Sequence, residues 1–300
     1  RLSLFGAALN SVANGILITD IEARIEWANP AFTRMTGYAL AEVIGRRTGE
    51  LLNSGKQDVH FYQRMWDTIL AGRVWRGELI NRRKDGSLFD EALTISPVTD
   101  GNGRIRHFVA IKQDISERKA SEARVQHLAH HDQLTDLPNR ALLTDRLFQA
   151  LAQARRDRQT LALMFLDLDR LKPVNDTLGH DVGDLLLKEV ALRLRACVPR
   201  DSDTVSRLGG DEFVILLAQI ERAADAVLVA RKLLTALSHP FVIGPYDVRI
   251  SGSIGIAVYP QHGGDVNGLL KNADTAMYYA KQAGRNCYRF FREIAETAGA

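Results

Sequence analysis

Residues 204–217 have the sequence TVSRLGGDEFVILL, in which the segment TVSRL and the apolar run FVILL stand on either side of the glycine pair Gly209-Gly210. Apolar and β-branched runs on either side of such a turn predict a β-hairpin. Asp211 and Glu212 follow the turn directly, so they lie at the hairpin tip. Glycines there let a ligand approach the backbone closely, because no Cβ stands in the way. We interpret the tip as a binding site; a surface hairpin with solvated acids is the alternative.

A strand upstream of the hairpin supplies another acid. Residues 161–169, LALMFLDLD, form an apolar run closed by acids, which is typical of a strand buried on both faces. If the hairpin pairs beside this strand, Asp167 and Glu212 converge on one point. Hard oxygen ligands without a soft ligand nearby favour Mg²⁺ (or Mn²⁺), which keeps its waters and adds substrate phosphates.

Around these strands the chain divides into two halves and a connecting segment. Residues 132–300 alternate helical and strand patterns, which predicts an α/β domain with a central sheet. Residues 1–115 contain short strand patterns, one or two short helices and turn signals, which predict a small α+β sensor domain. Residues 116–131 are polar and rich in helix formers, so we expect a linker helix that joins the two domains. A plain solvated helix and a short dimeric coiled coil both remain open.

Composition argues against several classes of function. The 300 residues carry 39 Lys and Arg against 36 Asp and Glu, without a basic block, so we expect no nucleic-acid partner. No run of 18 apolar residues occurs, so we expect no membrane contact within this segment. Cys197 and Cys287 lie far apart and predict reduced thiols in a cytoplasmic protein. The chain begins at Arg1 rather than Met, which we interpret as part of a longer protein.

Five motifs, in order along the second half, resemble one known family. They are residues 132–140 (DQLTDLPNR), 165–176 (FLDLDRLKPVND), 179–184 (GHDVGD), 207–213 (RLGGDEF) and 281–286 (KQAGRN). Together they resemble the GGDEF family of diguanylate cyclases, whose catalytic domain has a nucleotidyl-cyclase-like α/β fold. The resemblance implies an enzyme that condenses two GTP molecules into cyclic di-GMP and two pyrophosphates.

The resemblance also implies a role for each matching position. Asp167, Glu212 and the backbone carbonyl of Leu168 would hold Mg²⁺. Asn175 and Asp184 would bind the guanine edge of GTP, and Gly209 and Gly210 would leave room for its ribose and base. The phosphates would be bound by Lys281, Arg285 and the backbone N–H groups of Leu171 and Lys172. The catalytic set would be Asp211, Glu212, Lys281 and Arg285, with Asp211 as the position proposed for the base that activates the 3′-hydroxyl.

The implied chemistry requires two subunits. Attack of a ribose 3′-hydroxyl on an α-phosphate expels pyrophosphate through a transition state dense in negative charge, which metal ions and Lys or Arg side chains stabilise. One subunit holds one GTP, so two copies must face each other. We therefore expect a homodimer whose two-fold symmetry matches that of the product.

Residues 200–203, RDSD, stand just before the hairpin. An Arg and an Asp three residues apart are usually part of a solvated turn. Cyclases of this family carry an inhibitory RxxD site at this position, so the resemblance implies that Arg200 and Asp203 bind cyclic di-GMP through charge-assisted hydrogen bonds. Arg231 is a weaker candidate for a secondary contact. We favour product feedback over the solvated turn.

The first half resembles a PAS domain, with residues 114–119 (DISERK) as its closing motif. Residues 52–55 (LNSG), Trp66 and residues 75–86 (WRGELINRRKDG) are similar to flavin-binding redox sensors of the nitrogen-fixation regulator type. This similarity implies FAD in the domain. The candidate FAD-binding residues are Trp66, Asn81, Ser54 and Gly55. A core position for Trp66, a solvent-facing Asn81, and an empty, haem-containing or metabolite-binding pocket all remain open.

Three functions compete for the whole chain. The first is an active cyclase, gated by a signal that passes along the 116–130 helix. The second is a non-catalytic receptor that binds GTP or cyclic di-GMP and signals by protein contact. The third is a PAS interaction module whose second half serves only for dimerisation. The intact acids Asp167 and Glu212 and the intact cations Lys281 and Arg285 favour the first, because degenerate relatives usually lose the metal or glycine residues.

Overall fold

The computed structural model describes residues 2–291 and divides into two compact units, Arg1–Arg124 and Val125–Ala300. The division falls inside the predicted linker, within one helix, Ser116–His130. Across residues 2–291, no helix is both long enough and apolar enough to cross a membrane.

The first unit is an antiparallel sheet with helices beside it. The described strands are β1 (Gly15–Asp20), β2 (Ile25–Ala28), β3 (Trp75–Arg82), β4 (Leu88–Thr99) and β5 (Ile105–Asp114). They pair in the order β2-β1-β5-β4-β3, and every pair is antiparallel. The described helices are α1 (Leu2–Ser11), α2 (Pro30–Thr36), α3 (Leu40–Val43), α4 (Thr48–Leu52) and α5 (Val59–Leu70). This is the α+β class predicted, with more helices than expected, because helices of four to seven residues are too short to show a helical period.

The second unit is a mixed sheet covered by helices. The linker helix α6 (Ser116–His130) is crossed by the division between the units. The other described helices are α7 (Arg140–Asp157), α8 (Leu171–Leu178), α9 (His180–Cys197), α10 (Ala223–Ser238) and α11 (Val266–Gln282). The described strands are β6 (Thr160–Asp169), β7 (Thr204–Gly209), β8 (Glu212–Ile220), β9 (Phe241–Ile243), β10 (Tyr246–Val248), β11 (Ser251–Tyr259) and β12 (Tyr288–Phe290). The main sheet has the order β12-β11-β6-β8-β7, and β9 pairs with β10 apart from it. The predicted α/β domain is confirmed.

Strand β6 is the centre of this unit and is buried on both faces, as its sequence predicted. Its alternating side chains enter two different cores. Ala162, Met164 and Leu166 pack in the cluster formed with α9 and α10. Leu163 and Phe165 pack in the cluster formed with α7 and α11.

Helix α11 lies directly against strand β11 because Gly255 has no side chain. A Cβ at Gly255 would collide with the backbone of Ala273 and Met277 on the helix. Backbone atoms inside a packed helix cannot move aside as a flexible side chain can. This close approach fixes the position of α11, whose last turn carries Lys281.

We expect Gly255→Ala to lower the free energy of unfolding by about 3 kcal/mol, because overpacking against a fixed backbone forces the helix away from the sheet. Urea unfolding followed by circular dichroism measures this. Gly264→Ala is the matched control: a Cβ there meets no atom within 4 Å, so its effect is within about 0.5 kcal/mol. Equal stability of the two variants would show that α11 tolerates displacement.

Candidate active site

The register between β6 and β8 brings two acids together. The strands pair antiparallel with Asp167 directly opposite Glu212, and directly opposed residues have Cβ atoms about 5 Å apart. The Leu168 N–H donates to the carbonyl of Asp211 at 3.1 Å, which joins the strand to the hairpin tip. The hairpin therefore pairs beside this strand, which is the condition under which the sequence analysis expected the two acids to converge. Both acids lie at the same edge of the sheet.

Asp167 is buried among other charges. Burial raises the pKa of its carboxyl to about 6; Asp211 and Asp169 add to the rise, and the Lys281 ammonium opposes it. Lys281 Nζ lies 2.7 Å from Asp167 Oδ2. Several carboxylates therefore lie close together here, and Lys281 is in direct contact with that of Asp167. Such an arrangement favours the approach of further positive charge.

The glycine turn leaves the hairpin tip open. Gly209 and Gly210 have φ angles of 146° and 53°, which are unfavourable for residues that carry a Cβ. Both glycines are exposed, and a Cβ on either would meet no atom within 4 Å. The backbone here is accessible to a ligand, as the sequence predicted.

Arg207 holds this turn in place, and sequence reasoning gave it no role. Its Nε and Nη2 donate to the carbonyl of Gly210 at 3.1 and 2.8 Å, and Nη1 donates to Asp132 Oδ1 at 2.8 Å. Asp132 also accepts from the N–H and hydroxyl of Thr135. Burial raises the pKa of Asp132, but the hydrogen bonds from Thr135 and Arg207 outweigh it, so the pKa lies below its usual value. The signal available in the sequence was that Arg207 is the one charged residue of its strand.

Helix α8 begins beside the acids with free backbone donors. Strand β6 ends at Asp169, Arg170 takes a left-handed φ of 65°, and the helix starts at Leu171 without a side-chain cap. The strand therefore ends at Asp169, as its sequence predicted, and the motif of residues 165–176 continues into α8. The first N–H groups of a helix have no partner within the helix, so those of Leu171 and Lys172 are available to an anion.

Asn175 presents an unpaired acceptor. Its Oδ1 is buried and has no hydrogen-bond partner among the described residues. It lies against Gly183 of α9, where a Cβ would collide with it. The next residue, Asp184, is exposed on the same helix. A buried acceptor without a partner is costly unless a ligand supplies the donor.

The closing turn carries the two predicted phosphate-binding cations. Lys281 is in the last turn of α11, and Arg285 follows it with a left-handed φ of 65°. Arg285 is half exposed, and its Nε lies 3.9 Å from Asp169 Oδ1. Asp169 is a further buried acid at this edge, which sequence reasoning did not single out. Its position two residues after Asp167 on one strand was the available signal, because such residues share a face.

The RxxD segment lines a separate cavity of about 490 Å³, together with Arg146 and Arg195. Arg200 is exposed, and Asp203 Oδ1 accepts the Ala218 N–H at 3.0 Å. Burial raises the pKa of Asp203, although the Ala218 bond and Arg200 oppose the rise. The described residues that line the cavity do not include Arg231, which is exposed on α10.

The first unit contains a cavity of about 370 Å³ against its sheet. Its described lining includes Trp66 and Asn81 but neither Ser54 nor Gly55. Ser54 instead donates its hydroxyl to the carbonyl of Ile80, and Gly55 lies exposed with a φ of 74°. The structure therefore does not place either residue in the wall of this cavity, although the adjacent Asn53 lines it.

Asn81 belongs to a buried polar group in the sheet beside this cavity. It is 3% exposed, so the solvent-facing alternative is wrong. Its Nδ2 donates to Glu91 Oε2 at 3.0 Å, and Lys112 Nζ donates to Glu91 Oε1 at 2.7 Å. The three residues come from the neighbouring strands β3, β4 and β5. Sequence reasoning missed Glu91 and Lys112, because each looks like an ordinary charge in an alternating strand.

Comparison with known proteins agrees with this division of the chain. Residues 129–287 match the family model of the diguanylate cyclase GGDEF domain, and residues 13–117 match that of a PAS domain. The bifunctional diguanylate cyclase/cyclic di-GMP phosphodiesterase MucR of Pseudomonas aeruginosa is 56% identical over 164 residues, which cover 55% of this chain and 24% of that protein. The cyclic di-GMP phosphodiesterase PdeR of Escherichia coli is 33% identical over 292 residues, 97% of this chain and 43% of that protein.

A solved structure, that of the GGDEF domain of PA1120 (TpbB or YfiN) from Pseudomonas aeruginosa, is 43% identical with a TM-score of 0.53, covering 56% of this chain and 99% of that one. The chain spans less than half the length of the two curated relatives. The match to the GGDEF model extends over more than half of this chain and includes the acids, the glycine turn and the closing cations. The chain therefore belongs to the GGDEF-domain family of diguanylate cyclases, with a PAS domain ahead of the GGDEF domain.

Proposed function

We propose that this chain condenses two GTP molecules into cyclic di-GMP and two pyrophosphates across a homodimer, under the control of its PAS domain. The observation that carries the proposal is the placement of Asp167 opposite Glu212, with Lys281 2.7 Å from Asp167. Two acids and a cation at the open edge of a sheet suit a substrate that brings phosphates and a divalent metal.

The donor set fits Mg²⁺ or Mn²⁺. Asp167, Glu212 and the carbonyl of Leu168 are hard oxygen donors, and burial together with neighbouring acids raises the pKa of Asp167. Among the described residues there is no cluster of three or more His, Cys, Asp or Glu side chains placed to hold a metal; two carboxylates suit an ion that takes its remaining ligands from water and phosphate. When bound, the metal would offset negative charge on the phosphates.

The remaining residues suit a guanine nucleotide. The unpaired Asn175 Oδ1 is an acceptor for a guanine N–H donor, and the exposed carboxylate of Asp184 accepts another. The uncapped start of α8 and the cations Lys281 and Arg285 would hold the phosphates. The open backbone at Gly209 and Gly210 leaves room for the ribose and base.

A second copy of the chain would supply the other substrate. Each subunit holds one GTP, and each 3′-hydroxyl attacks the α-phosphate held by the partner; Asp211 at the hairpin tip would accept the hydroxyl proton. Helix α6 has no buried residue among those described, and Val125 and Leu128 are exposed three positions apart on it. These apolar side chains support a short helix pair in the dimer.

We expect Glu212→Gln to reduce cyclic di-GMP formation by roughly 100-fold or more, because a neutral amide replaces one of the two carboxylates that hold the metal. The protein is incubated with GTP and Mg²⁺, and the products are resolved by chromatography. Glu221→Gln is the matched control: the same substitution at an exposed acid just beyond β8, which should leave the rate within twofold.

The second candidate function is a receptor that binds GTP or cyclic di-GMP without turnover. It is favoured by the name of PdeR, which matches 97% of this chain and is described as a phosphodiesterase. GTP that binds to the wild type and is recovered unchanged would select the receptor. Product that survives in the Glu212→Gln variant would exclude the metal-binding role of Glu212.

We propose that Arg200 and Asp203 bind cyclic di-GMP and mediate product feedback, on the support of the cavity that they line. Arg200→Ala should raise the concentration for half-maximal inhibition about tenfold or more, because a charged hydrogen bond contributes about 1.5–3 kcal/mol. Initial rates at increasing cyclic di-GMP measure this. The control is Arg222→Ala, at an exposed Arg outside the described cavity lining; cyclic di-GMP should inhibit this variant as it inhibits the wild type. If the inhibition curve of Arg200→Ala matched that of the wild type, the proposed site would be refuted.

We propose FAD as the ligand of the PAS cavity. The support is a cavity of about 370 Å³ lined by Trp66 and Asn81, with apolar walls from residues such as Leu79 and Phe108, which suits an aromatic ring system. Because the amide nitrogen of Asn81 donates to Glu91, its carbonyl oxygen is the atom that we expect to accept from the isoalloxazine edge.

We expect the purified protein to show flavin absorption bands and Trp66→Leu to lose most of the bound flavin, because one wall of the cavity shrinks. The ratio of visible to protein absorption gives the flavin content. Trp27→Leu is the control, since Trp27 lies on β2 and is not among the described residues lining the cavity. A colourless wild type that takes up no added FAD would exclude this cofactor.

A further inference from the structure

Asp169 joins three segments of the second unit and has no role in the reaction proposed above. It is the last residue of β6 and is 3% exposed. Its Oδ1 accepts the Ser253 hydroxyl at 2.8 Å, and its Oδ2 accepts the Ser251 hydroxyl at 2.7 Å. Oδ2 also accepts the backbone N–H of Asn286 at 3.2 Å. The carboxylate thus links the central strand to β11 and to the turn after α11.

The turn that Asp169 contacts has an unfavourable backbone. Gly284, Arg285 and Asn286 have φ angles of 108°, 65° and 48° in succession. Left-handed conformations are disfavoured for residues with a Cβ, and two of these three carry one. Such a conformation persists only where surrounding contacts hold it. Here those contacts include the Asp169 bond to the Asn286 N–H and a 3.2 Å bond from the Arg285 N–H to the Ala280 carbonyl.

The conformation of this turn decides where the Arg285 guanidinium points. Arg285 Nε lies 3.9 Å from Asp169 Oδ1, and the side chain remains 56% exposed. The Asp169 side chain, by contrast, is 1% exposed. Asp169 is therefore shielded from substrate, and its hydrogen bonds are made with Ser251, Ser253 and the turn itself. Its charge acts on Arg285 and on the backbone that carries it.

We propose that Asp169 is a positioning residue that holds the turn carrying Arg285, and thereby gives the site its preference for guanosine triphosphate over the monophosphate. The inference deepens the proposed function, because it assumes that Lys281 and Arg285 meet the terminal phosphates. A displaced turn would weaken contacts to those phosphates. It would leave the guanine contacts at Asn175 and Asp184 unchanged, because these residues lie on α8 and α9.

The test compares two ligands on the same chain. 3′-Deoxy-GTP carries the triphosphate but lacks the attacking hydroxyl, so it binds without turnover, and GMP lacks the terminal phosphates. Titration calorimetry with Mg²⁺ gives both dissociation constants for the wild type and Asp169→Asn. We expect Asp169→Asn to bind 3′-deoxy-GTP about tenfold more weakly, the effect of one lost charged hydrogen bond. GMP binding should stay within twofold of the wild type.

Two further variants make the test decisive. Ser251→Ala removes one hydrogen bond to Oδ2 and should give a smaller loss, about threefold, again only for 3′-deoxy-GTP; it serves if Asp169→Asn does not fold by circular dichroism. Arg285→Ala should weaken 3′-deoxy-GTP binding, and adding Asp169→Asn to it should cause little further loss, because the two residues act through one contact.

Two results would contradict the role proposed for Asp169. Equal weakening of 3′-deoxy-GTP and GMP would make Asp169 a general structural residue and overturn the proposal, as would unchanged binding of both ligands. If the wild type binds 3′-deoxy-GTP but forms no product from GTP, the proposed cyclase activity is refuted, and the role of Asp169 in triphosphate binding can still be tested. A wild type that binds neither nucleotide refutes both.

Discussion

The antiparallel pairing of β6 with β8 is the constraint on which the rest of the second unit depends. Its register sets Asp167 opposite Glu212. A slip of one residue would send every side chain of the strand to the opposite face. The slip is prevented because β6 is packed on both faces, with alternate residues committed to two different cores. The site is thus fixed by hydrophobic packing that lies several residues away from it.

The sheet edge that carries Asp167 and Glu212 contains several features that lower the stability of the fold. Burial and neighbouring acids raise the pKa of Asp167, Asn175 keeps an unpaired buried oxygen, and Arg170, Arg285 and Asn286 all have left-handed backbones. Conflicts with local preference gather at functional sites, where the surrounding fold offsets their cost. Here Arg207 and Asp169 supply the compensating bonds, one to the glycine turn and one to the closing turn.

Helix α6 is held at its two ends by different units. Near its start, Lys119 Nζ lies 2.9 Å from both Glu78 and Asp90 of the first unit. Near its end, His127 Nε2 lies 2.6 Å from Asp136, in the first motif of the second unit. A helix anchored in this way, with no buried residue among those described, suits the proposed passage of a signal from the PAS domain.

The sequence by itself determined the two fold classes, the hairpin, the doubly buried strand and the family, because these follow from local periodicity and from motifs that are continuous in the chain. It placed Asp167 and Glu212 at one edge once pairing was assumed. It did not identify the partners of Asp169, which are Ser251, Ser253 and the Asn286 N–H. Nor did it find the Arg207–Asp132 bond or the buried Glu91–Lys112 pair.

These contacts join residues that lie far apart in the chain, and a local pattern gives the face on which a side chain lies but not the partner that it meets. Ser54 and Gly55 show the same limit: they belong to the matching motif, yet neither is among the described residues that line the cavity with Trp66. Only the tertiary structure decided which polar groups are paired, because pairing depends on strand order, register and the close packing of α11 on Gly255.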